Sequence, residues 1–225
     1  MLVELQCHSE YSGDTVLPVK DIIRKADAEL GAIAITDHNS LGGYLAAKKM
    51  KKRVILIPGT EITCFFGRQK GHLIALGVEY FPKKYFNRAG VFDVIDYVKS
   101  NAGITIVSHP FRSAKYSFHQ KDVWKKAEAI EVLNGNTLAF RNTRAYTQAK
   151  EMKKPMTSGS DAHILKAVGS YACGIEAESV DGILTAIKKG RVVLPQKSTN
   201  ALDIILGSAI RRSKKKLRKI IGKRI

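Results

Sequence analysis

The sequence predicts an α/β protein in which helices surround a mainly parallel sheet or barrel. Short β-rich runs alternate with longer helical runs along most of the 225 residues, an order that is typical of βαβ units. Roughly seven such units within about 200 residues favour a barrel over an open sheet. A hydrophobic content of 44% is enough for one sizeable core. We therefore expect one barrel domain at residues 1–200.

The predicted strands are short runs of apolar or alternating residues bounded by glycine, proline or polar residues. The first alternates apolar and polar residues, the second is continuously apolar, and Pro58-Gly59 ends the third. Residues 67–71 are expected to form the turn between the fourth and the fifth. The strands are expected at 2–7, 32–36, 53–57, 61–66, 72–78, 104–108, 129–133, 156–158 and 191–194.

The predicted helices repeat apolar residues at a spacing of three or four. In the first of them, Ile22, Ile23, Ala26 and Leu30 form one apolar face, and Gly31 ends the helix. The helices are expected at 19–30, 41–51, 91–101, 123–128, 138–152 and 180–190.

The chain has a strongly positive net charge of +18 at pH 7. A charge of this sign attracts polyanions or phosphorylated substrates, although it does not determine the fold. The cysteines Cys7, Cys64 and Cys173 are odd in number and widely spaced, which favours a reducing compartment over a disulfide framework. The N-terminus lacks a signal-peptide pattern, and no apolar run approaches the ~20 residues that span a bilayer. We expect a cytoplasmic protein without a transmembrane segment.

Residues 201–225 are predicted to form a basic amphipathic tail outside the barrel, with Ile210, Leu217 and Ile221 on one helical face. Without residues 211–225 the net charge is +18 minus 9, or +9, so the remaining chain is basic too. Three interpretations stay open: nucleic-acid binding, contact with an anionic membrane surface and a solvated end. The nine basic residues of the tail are Arg211, Arg212, Lys214, Lys215, Lys216, Arg218, Lys219, Lys223 and Arg224.

Five of the six histidines lie at the ends of strand-like runs, most of them with a carboxylate close by in the sequence. Imidazole and carboxylate groups that meet at one end of a sheet are typical ligands of divalent metal ions. One such histidine alone is more often a core residue, but five at strand ends are not expected by chance. The sequence therefore predicts a metal site. The five histidines are His8, His38, His72, His109 and His163.

The first two strands end in polar residues. Glu4, Gln6 and His8 lie on the same side of the first strand because side chains two apart share a face. That face borders either water or a site. Asp37 and His38 follow the second strand, and this pair suits a ligand with a neighbour that orients it.

Two more segments carry carboxylates in positions suited to metal binding. Glu61 follows the turn Pro58-Gly59-Thr60, and its two oxygens could bridge two cations. Asp161 and His163 are two residues apart after a short strand, a moderately specific metal-binding pattern whose alternative is an ordinary turn capped by Asp161.

Two residues near the same strand ends are candidates for substrate binding. Arg112 follows His109-Pro110, and its planar guanidinium could hold a phosphate or form a surface ion pair. Asn134 ends the strand that begins at Ala129, and its amide could bind substrate or serve only the Asn-Gly turn.

The chain resembles the PHP (polymerase and histidinol phosphatase) family of metal-dependent phosphoesterases over residues 3–195. The family fold is a distorted (β/α)7 barrel, similar to a TIM barrel, whose site usually holds two or three divalent metals such as Zn, Mn, Fe or Mg. The residues that carry the resemblance are His8-Ser9, Ser12, Thr36-Asp37-His38-Asn39, Pro58-Gly59-Thr60-Glu61, His72, Ser108-His109-Pro110, Glu131-Val132-Leu133-Asn134 and Asp161-Ala162-His163.

The resemblance implies three clusters of metal ligands, two of which share Glu61 as a bridging carboxylate. His8, Glu61 and Asp161 would form the first cluster, Glu61, His72 and His109 the second, and Asp14, His38 and His163 the third.

The chain departs from the family pattern at the first strand. Gln6 stands where the first histidine of a pair is expected, and Glu4 stands where an aspartate is usual. Gln6 is an uncertain ligand because an amide oxygen binds Zn or Mn more weakly than imidazole does. The first metal is then weakly held, exchanged for a harder ion or absent. Asp14 lies one position later than the family's usual aspartate.

These features predict hydrolysis of a phosphomonoester or of a nucleotide or oligonucleotide phosphodiester. Arg112 would hold the phosphate, and His38 or His163 could protonate the leaving group if the third metal is missing. The alternative is a catalytically weakened nucleic-acid-binding subunit that uses the basic tail. Expected partners are thus a phosphorylated small molecule or an oligonucleotide, with nucleic acid bound through residues 211–225.

Overall fold

Two β-sheets lie at the centre of the structure, a computed structural model that describes residues 1–113 and 115–197. The predicted tail and residues 198–200 lie outside the described residues. The strands are β1 Leu2–Cys7, β2 Ala32–Ile35, β3 Ile55–Ile57, β4 Gly59–Phe66, β5 Gln69–Leu76, β6 Ile104–Val107, β7 Ala129–Asn134, β8 Met156–Gly159 and β9 Cys173–Gly174. The α-helices are α1 Val19–Glu29, α2 Gly42–Lys48, α3 Val91–Ser100, α4 Lys121–Lys126, α5 Ala139–Glu151 and α6 Val180–Lys188.

The predicted α/β class is confirmed, but the strands form two sheets rather than one closed barrel. The first sheet has the order β3-β2-β1-β9, and the second has the order β4-β5-β6-β7-β8. Both sheets contain parallel pairs, as βαβ connections require. The antiparallel pairs β4–β5, β5–β6 and β1–β9 interrupt the parallel order, so a regular (β/α) barrel is not formed among the described strands.

Isolated bridges join the two sheets where β1 and β2 end. Cys7 bridges to Ala162 beyond β8, and His38 bridges to Glu61 in β4. The His8 amide donates to the Ala162 carbonyl at 2.9 Å, and the Asn39 amide donates to the Glu61 carbonyl at 2.9 Å. Because the polar strand-end residues lie at these two junctions, the fold brings segments that are far apart in the sequence to one place.

Each helix packs an apolar face against a sheet, as the sequence periodicity predicts. In α1 the buried residues are Val19, Ile22, Ile23 and Ala26, which recur at helical spacing. Beyond the second sheet, α3 and α4 contribute to a large apolar cluster that includes the fully buried Trp124.

Most predicted elements are present with boundaries shifted by one to three residues. The hairpin turn is tighter than expected, because β4 and β5 pair out to Phe66 and Gln69. The predicted strand at 191–194 is instead a single bridge between Val193 and Gly174, and β9, which was not predicted, forms the edge of the first sheet beside β1. Two short 3₁₀ helices, Lys83–Phe86 and Leu165–Ala167, were not expected.

Among the described residues, no helix combines the length and the apolar character needed to cross a bilayer.

Candidate metal centre

The Glu61 carboxylate lies at the centre of a group of four histidines. Its Oε1 is 3.0 Å from His109 Nε2 and 3.2 Å from His72 Nδ1. Its Oε2 is 3.0 Å from His38 Nδ1 and 3.4 Å from His8 Nε2. Glu61 is fully buried, so both oxygens face imidazoles rather than water, an arrangement suited to a bridging carboxylate.

Asp161 lies on the other side of His8. Its Oδ1 is 3.2 Å from His8 Nε2, while its Oδ2 accepts a hydrogen bond from the Arg112 guanidinium. The first predicted cluster is therefore brought together, but one oxygen of Asp161 is already paired with a cation of the protein itself.

Asp14 joins the histidines that complete the group. Its Oδ2 is 2.9 Å from His163 Nε2 and 3.5 Å from His38 Nε2. The shift of one position relative to the family pattern does not remove Asp14 from the group, because Gly13 before it has a φ of +80°, a conformation that glycine adopts readily.

The structure thus places all eight residues predicted to bind metal within one group. The ligand atoms of two subsets come within 4.8 Å of one another: His8, Asp14, His38 and His163 in one, and His38, Glu61 and His72 in the other. Their assignment as ligands stays a prediction, since proximity alone does not show that an ion binds.

Buried atoms that lack a hydrogen-bond partner provide a test of whether these residues fit metal ions. Among the described residues, such atoms on the predicted ligands are His8 Nε2, Asp14 Oδ1, His38 Nδ1, Glu61 Oε2, His72 Nδ1 and His109 Nδ1. Buried polar groups without partners are costly, and cations bound by these nitrogens and oxygens would satisfy most of them. The residues present therefore fit divalent metals.

Three of the connections at the site have strained backbones. Asn39, His109 and Asp161 have φ values of +50°, +32° and +49°, which non-glycine residues rarely adopt. Each of these residues lies shortly after a strand and changes the direction of the backbone where a polar side chain enters the candidate metal centre. Backbone strain of this kind is often found at functional sites.

A buried hydrogen-bond network lies beneath the histidines. Gln6 Nε2 donates to Glu61 Oε1 at 3.0 Å and to Ser108 Oγ at 2.9 Å. Gln6 Oε1 accepts from Asn134 Nδ2 at 3.0 Å. The Gln6 amide thus presents its N–H groups, which cannot bind a cation, to the Glu61 carboxylate. Asn134 is fully buried within this network, and its predicted contact with substrate stays a prediction.

Opposing effects determine the charge of the two central carboxyls. Burial tends to raise the pKa of Glu61, but the charges of His72 and His38 outweigh it and hold the pKa well below its ordinary value. Burial also acts to raise the pKa of Asp161, and the Arg112 guanidinium holds that pKa well below its usual range. Both groups are therefore carboxylates, the form that binds metal.

Glu131 and His109 have pKa values shifted toward their neutral forms. Burial raises the pKa of Glu131 well above its ordinary value, and the charge of Asp161 raises it further. Burial and the charge of Arg112 lower the pKa of His109 to about 4. A neutral imidazole is the metal-binding form of histidine.

Sequence reasoning missed the roles of Glu131 and Asp37. Glu131 Oε2 accepts a 2.8 Å hydrogen bond from the His109 amide; its sequence signals are its place in the family pattern and a carboxylate inside an apolar strand, and neither indicates this role. Asp37 was expected to orient its neighbour. Instead it accepts from the Ser9 amide and hydroxyl and from the Gly43 amide, so it fixes the loop after β1 and the start of α2.

Arg112 borders the cleft above the histidines and pairs with Asp161, while its predicted contact with a phosphate stays a prediction. His119, which was not assigned to the site, is exposed.

Comparisons with known proteins agree with the fold and with the geometry of the site. Residues 140–192 match a family model described as PHP-associated. A two-domain protein from Bacteroides vulgatus, described as containing a predicted PHP-like metal-dependent phosphoesterase, superimposes with a TM-score of 0.68 over 95% of this chain and 69% of that one, at 17% identity. The chain thus shares its fold with a protein that contains a PHP-like domain.

Two curated proteins also resemble this chain in sequence. An uncharacterised protein of Methanocaldococcus jannaschii is 26% identical over an alignment of 148 positions that covers 60% of this chain and 82% of that protein. The 3′,5′-nucleoside bisphosphate phosphatase of Chromobacterium violaceum is 29% identical over 79 residues, which are 34% of this chain and 28% of that protein. The second match thus covers under a third of the phosphatase.

Proposed function

We propose that the protein is a metal-dependent phosphoesterase that hydrolyses a phosphomonoester or a nucleotide or oligonucleotide phosphodiester. The observation that carries the proposal is the convergence of imidazoles on both oxygens of Glu61, with several ligand atoms lacking hydrogen-bond partners. The fold shared with a PHP-like protein supports the same reaction class.

Of the three predicted ligand clusters, the second and third are open to a cation, and the first is altered. Glu61, His72 and His109 would hold one ion, and Asp14, His38 and His163 another. Bound divalent ions supply a water of lowered pKa and neutralise charge on the phosphoryl oxygens. Zn, Mn, Fe and Mg are the candidate metals.

We infer that the first cluster binds a metal weakly or not at all. Gln6 directs N–H groups at Glu61, and Arg112 pairs with Asp161. Both residues provide hydrogen-bond donors where an additional cation would need acceptors. Two ions per chain are therefore the expected content.

The residues of the chain also supply binding and proton transfer. Arg112 borders the cleft, and its planar guanidinium is suited to two oxygens of a phosphate. The His38 and His163 side chains both contact Asp14, which orients their rings. Either ring could deliver a proton to the leaving-group oxygen where the third cluster holds no ion.

The test combines metal analysis of the purified full-length protein with a screen of phosphomonoesters and short oligonucleotides. His109→Ala should abolish metal-dependent hydrolysis, because His109 lies in the second cluster. His119→Ala is the matched control, since His119 is exposed and outside the cluster. Hydrolysis that needs no metal and survives His109→Ala would refute the proposal.

The second candidate is a nucleic-acid-binding subunit with weakened catalysis. It is favoured by a groove of about 1050 Å³, on a different part of the surface, that is lined by Lys153, Lys188 and Lys189 and by no acidic residue among the described residues. The basic residues of segment 211–225 add charge of the same sign. Such binding should weaken steeply as salt increases.

Charge-neutralising substitutions in the full chain test this candidate. Lys188→Gln with Lys189→Gln, and separately Lys214→Gln with Lys215→Gln, should each weaken RNA or DNA binding. Salt-sensitive binding with no hydrolysis by any metal-loaded form would favour this candidate over the first. Binding that neither pair of substitutions changes would exclude it.

Three buried cysteines are free of disulfides. This state is compatible with the reducing cytoplasm, which we keep as the proposed compartment.

A further inference from the structure

The ion pair between Arg112 and Asp161 lies in the first predicted cluster. The Arg112 guanidinium donates to Asp161 Oδ2, and the Asp161 side chain is only 1% exposed. The other oxygen of this carboxylate, Oδ1, is 3.2 Å from His8 Nε2. Asp161 therefore faces a predicted metal ligand with one oxygen and a cation of the protein itself with the other. The guanidinium thus supplies positive charge at the carboxylate that a metal ion of the first cluster would bind.

The connection between β7 and α5 contacts the main chain of both partners of this ion pair. Asn136 Nδ2 donates to the carbonyl oxygen of Asp161, and the Arg141 guanidinium donates to the carbonyl oxygen of Arg112. Asn136 lies in the turn after β7, and Arg141 lies in the first turn of α5. Because one short segment contacts both carbonyls, it determines where Arg112 and Asp161 lie relative to each other.

This connection is itself held by side-chain hydrogen bonds. Asn134 Oδ1 accepts from the Asn136 amide at 2.9 Å and from Thr137 Oγ1 at 3.0 Å. Asn142 Nδ2 donates to the Asn134 carbonyl at 3.1 Å and to the Thr137 carbonyl at 3.2 Å. A side chain can position another residue only if its own segment is fixed, and the segment that carries Asn136 meets this condition.

The loop that carries Arg112 is held at two further points. The Arg112 amide donates to the His109 carbonyl at 3.0 Å. Arg144, three residues after Arg141 and therefore on the same side of α5, has its Cζ 4.3 Å from the centroid of the Phe111 ring. Among the ion pairs of the described residues, neither Arg141 nor Arg144 has a carboxylate partner. Both arginines of α5 thus contact the loop instead of forming salt bridges within the described part of the chain.

We propose that Arg141 and Asn136 are positioning residues that hold the Arg112 guanidinium on Asp161, so that Arg112 occupies the first cluster in place of a metal ion. This inference rests on the proposed metal binding and deepens it, because it names the residues that keep the first cluster closed. A guanidinium is always charged and is covalently attached to the chain. The positive charge beside Asp161 would therefore be independent of metal supply, whereas the second and third clusters depend on it.

The first experiment measures how fast phenylglyoxal, a reagent for guanidinium groups, modifies Arg112 in the chelator-treated full-length protein. Peptide mass spectrometry gives the rate for each arginine. Arg141→Ala and Asn136→Ala should each raise the rate at Arg112 at least fivefold, because the guanidinium then leaves Asp161 more often. Arg191→Ala, which removes an exposed arginine, is the control and should leave the rate within twofold. Arg24, which pairs with Asp21 at the surface, is the internal reference in every variant.

The second experiment measures the affinity for Mn²⁺ in the Gln6→His background, which supplies the imidazole that the first cluster lacks. Adding Arg141→Ala should make the additional ion bind at least threefold more tightly, since Arg112 then competes less for the Asp161 carboxylate. A purely structural role of Arg141 predicts the opposite, because a distorted site binds metal more weakly.

The outcomes separate this proposal from the proposed function. An Arg112 rate that changes less than twofold in both variants, or that rises only together with the rate at Arg24, would refute the positioning role. Weaker binding of the additional ion after Arg141→Ala would also refute it. If Gln6→His binds no additional ion with or without Arg141→Ala, the first cluster fails as a metal site, and the rate at Arg112 still decides the role of Arg141. If the rates change as expected but no metal-loaded form hydrolyses any substrate, the proposed function fails and the positioning role stands.

Discussion

Gln6 donates a 3.0 Å hydrogen bond to Glu61 from the position where the PHP pattern has a histidine. The acceptor is Glu61 Oε1, which also faces His72 and His109 at 3.2 and 3.0 Å. One carboxylate oxygen thus receives an amide N–H on one side and imidazoles on the other. With glutamine in place of the expected histidine, this position carries a hydrogen-bond donor to the Glu61 carboxylate rather than an imidazole ligand.

Replacing Gln6 by histidine should restore the first metal position. We expect Gln6→His to bind about one more equivalent of Mn²⁺ or Zn²⁺ than the unmodified protein, because imidazole is a stronger ligand than an amide. The measurement is metal content after equilibrium dialysis of the full-length protein. Gln6→Ala is the control, since it removes the amide without adding a ligand. Equal metal content in all three proteins would contradict the assignment of the first cluster.

Replacing Glu61 by glutamine should have the largest effect on metal binding. Glu61 faces four imidazoles, and the substitution removes the charge while preserving the shape. We expect metal affinity to fall at least 100-fold, which corresponds to about 2.7 kcal/mol. The measurement is competition with a metal-sensitive dye. Glu178→Gln is the matched control, because Glu178 is exposed and distant in sequence from the predicted ligands. A loss below threefold would show that Glu61 is not a ligand.

The parts of this centre that follow strand ends could be predicted from sequence, because local periodicity places strands and the ends of neighbouring strands meet. His38 after β2 and His109 after β6 are examples. The pairing of Arg112 with Asp161 could not be predicted, because it depends on two loops separated by 49 positions. The same holds for the two-sheet arrangement, because the pairing of strands across a junction is not encoded in the periodicity of either strand.

The buried role of Asn134 illustrates a further limit. Its sequence context, Asn-Gly after a strand, fits a turn, a substrate contact or a structural amide equally well. Only the packing of β7 beside β8 and near Gln6 directs its side chain inward. Glu131 was missed for a related reason, since a single acid in an apolar run does not reveal whether it faces solvent or a buried amide.

Replacing Arg112 by alanine should separate substrate binding from metal binding. Arg112 borders the cleft and also pairs with one oxygen of Asp161. Its removal takes a guanidinium from the phosphate and leaves Asp161 with an oxygen available to a cation. We therefore expect KM for a phosphomonoester to rise about tenfold, or about 1.4 kcal/mol, while metal affinity is unchanged or higher.

Steady-state kinetics and metal titration of the same preparation check this expectation. Arg191→Ala, which removes an exposed arginine, controls for the change in net charge. Loss of metal affinity comparable with that of Glu61→Gln would contradict the proposed division of roles.

Replacing Asp37 by alanine should weaken the fold more than it weakens metal binding. Asp37 accepts hydrogen bonds from the Ser9 amide at 2.6 Å, the Ser9 hydroxyl at 2.7 Å and the Gly43 amide at 3.1 Å. Without the carboxylate these buried donors lose their partner, and each unsatisfied buried group costs about 1–3 kcal/mol. We expect the free energy of unfolding, measured with urea on the metal-free protein, to fall by about 2–4 kcal/mol.

The control for Asp37 is Asp122→Ala, which removes an exposed carboxylate that pairs with Lys125 at the surface. That change should alter stability by less than about 0.5 kcal/mol. Asp37→Asn retains one acceptor oxygen and should recover part of the lost stability. If Asp37→Ala instead left stability unchanged and reduced metal affinity as strongly as Glu61→Gln, Asp37 would be a ligand. The three hydrogen bonds from Ser9 and Gly43 would then describe only the metal-free state.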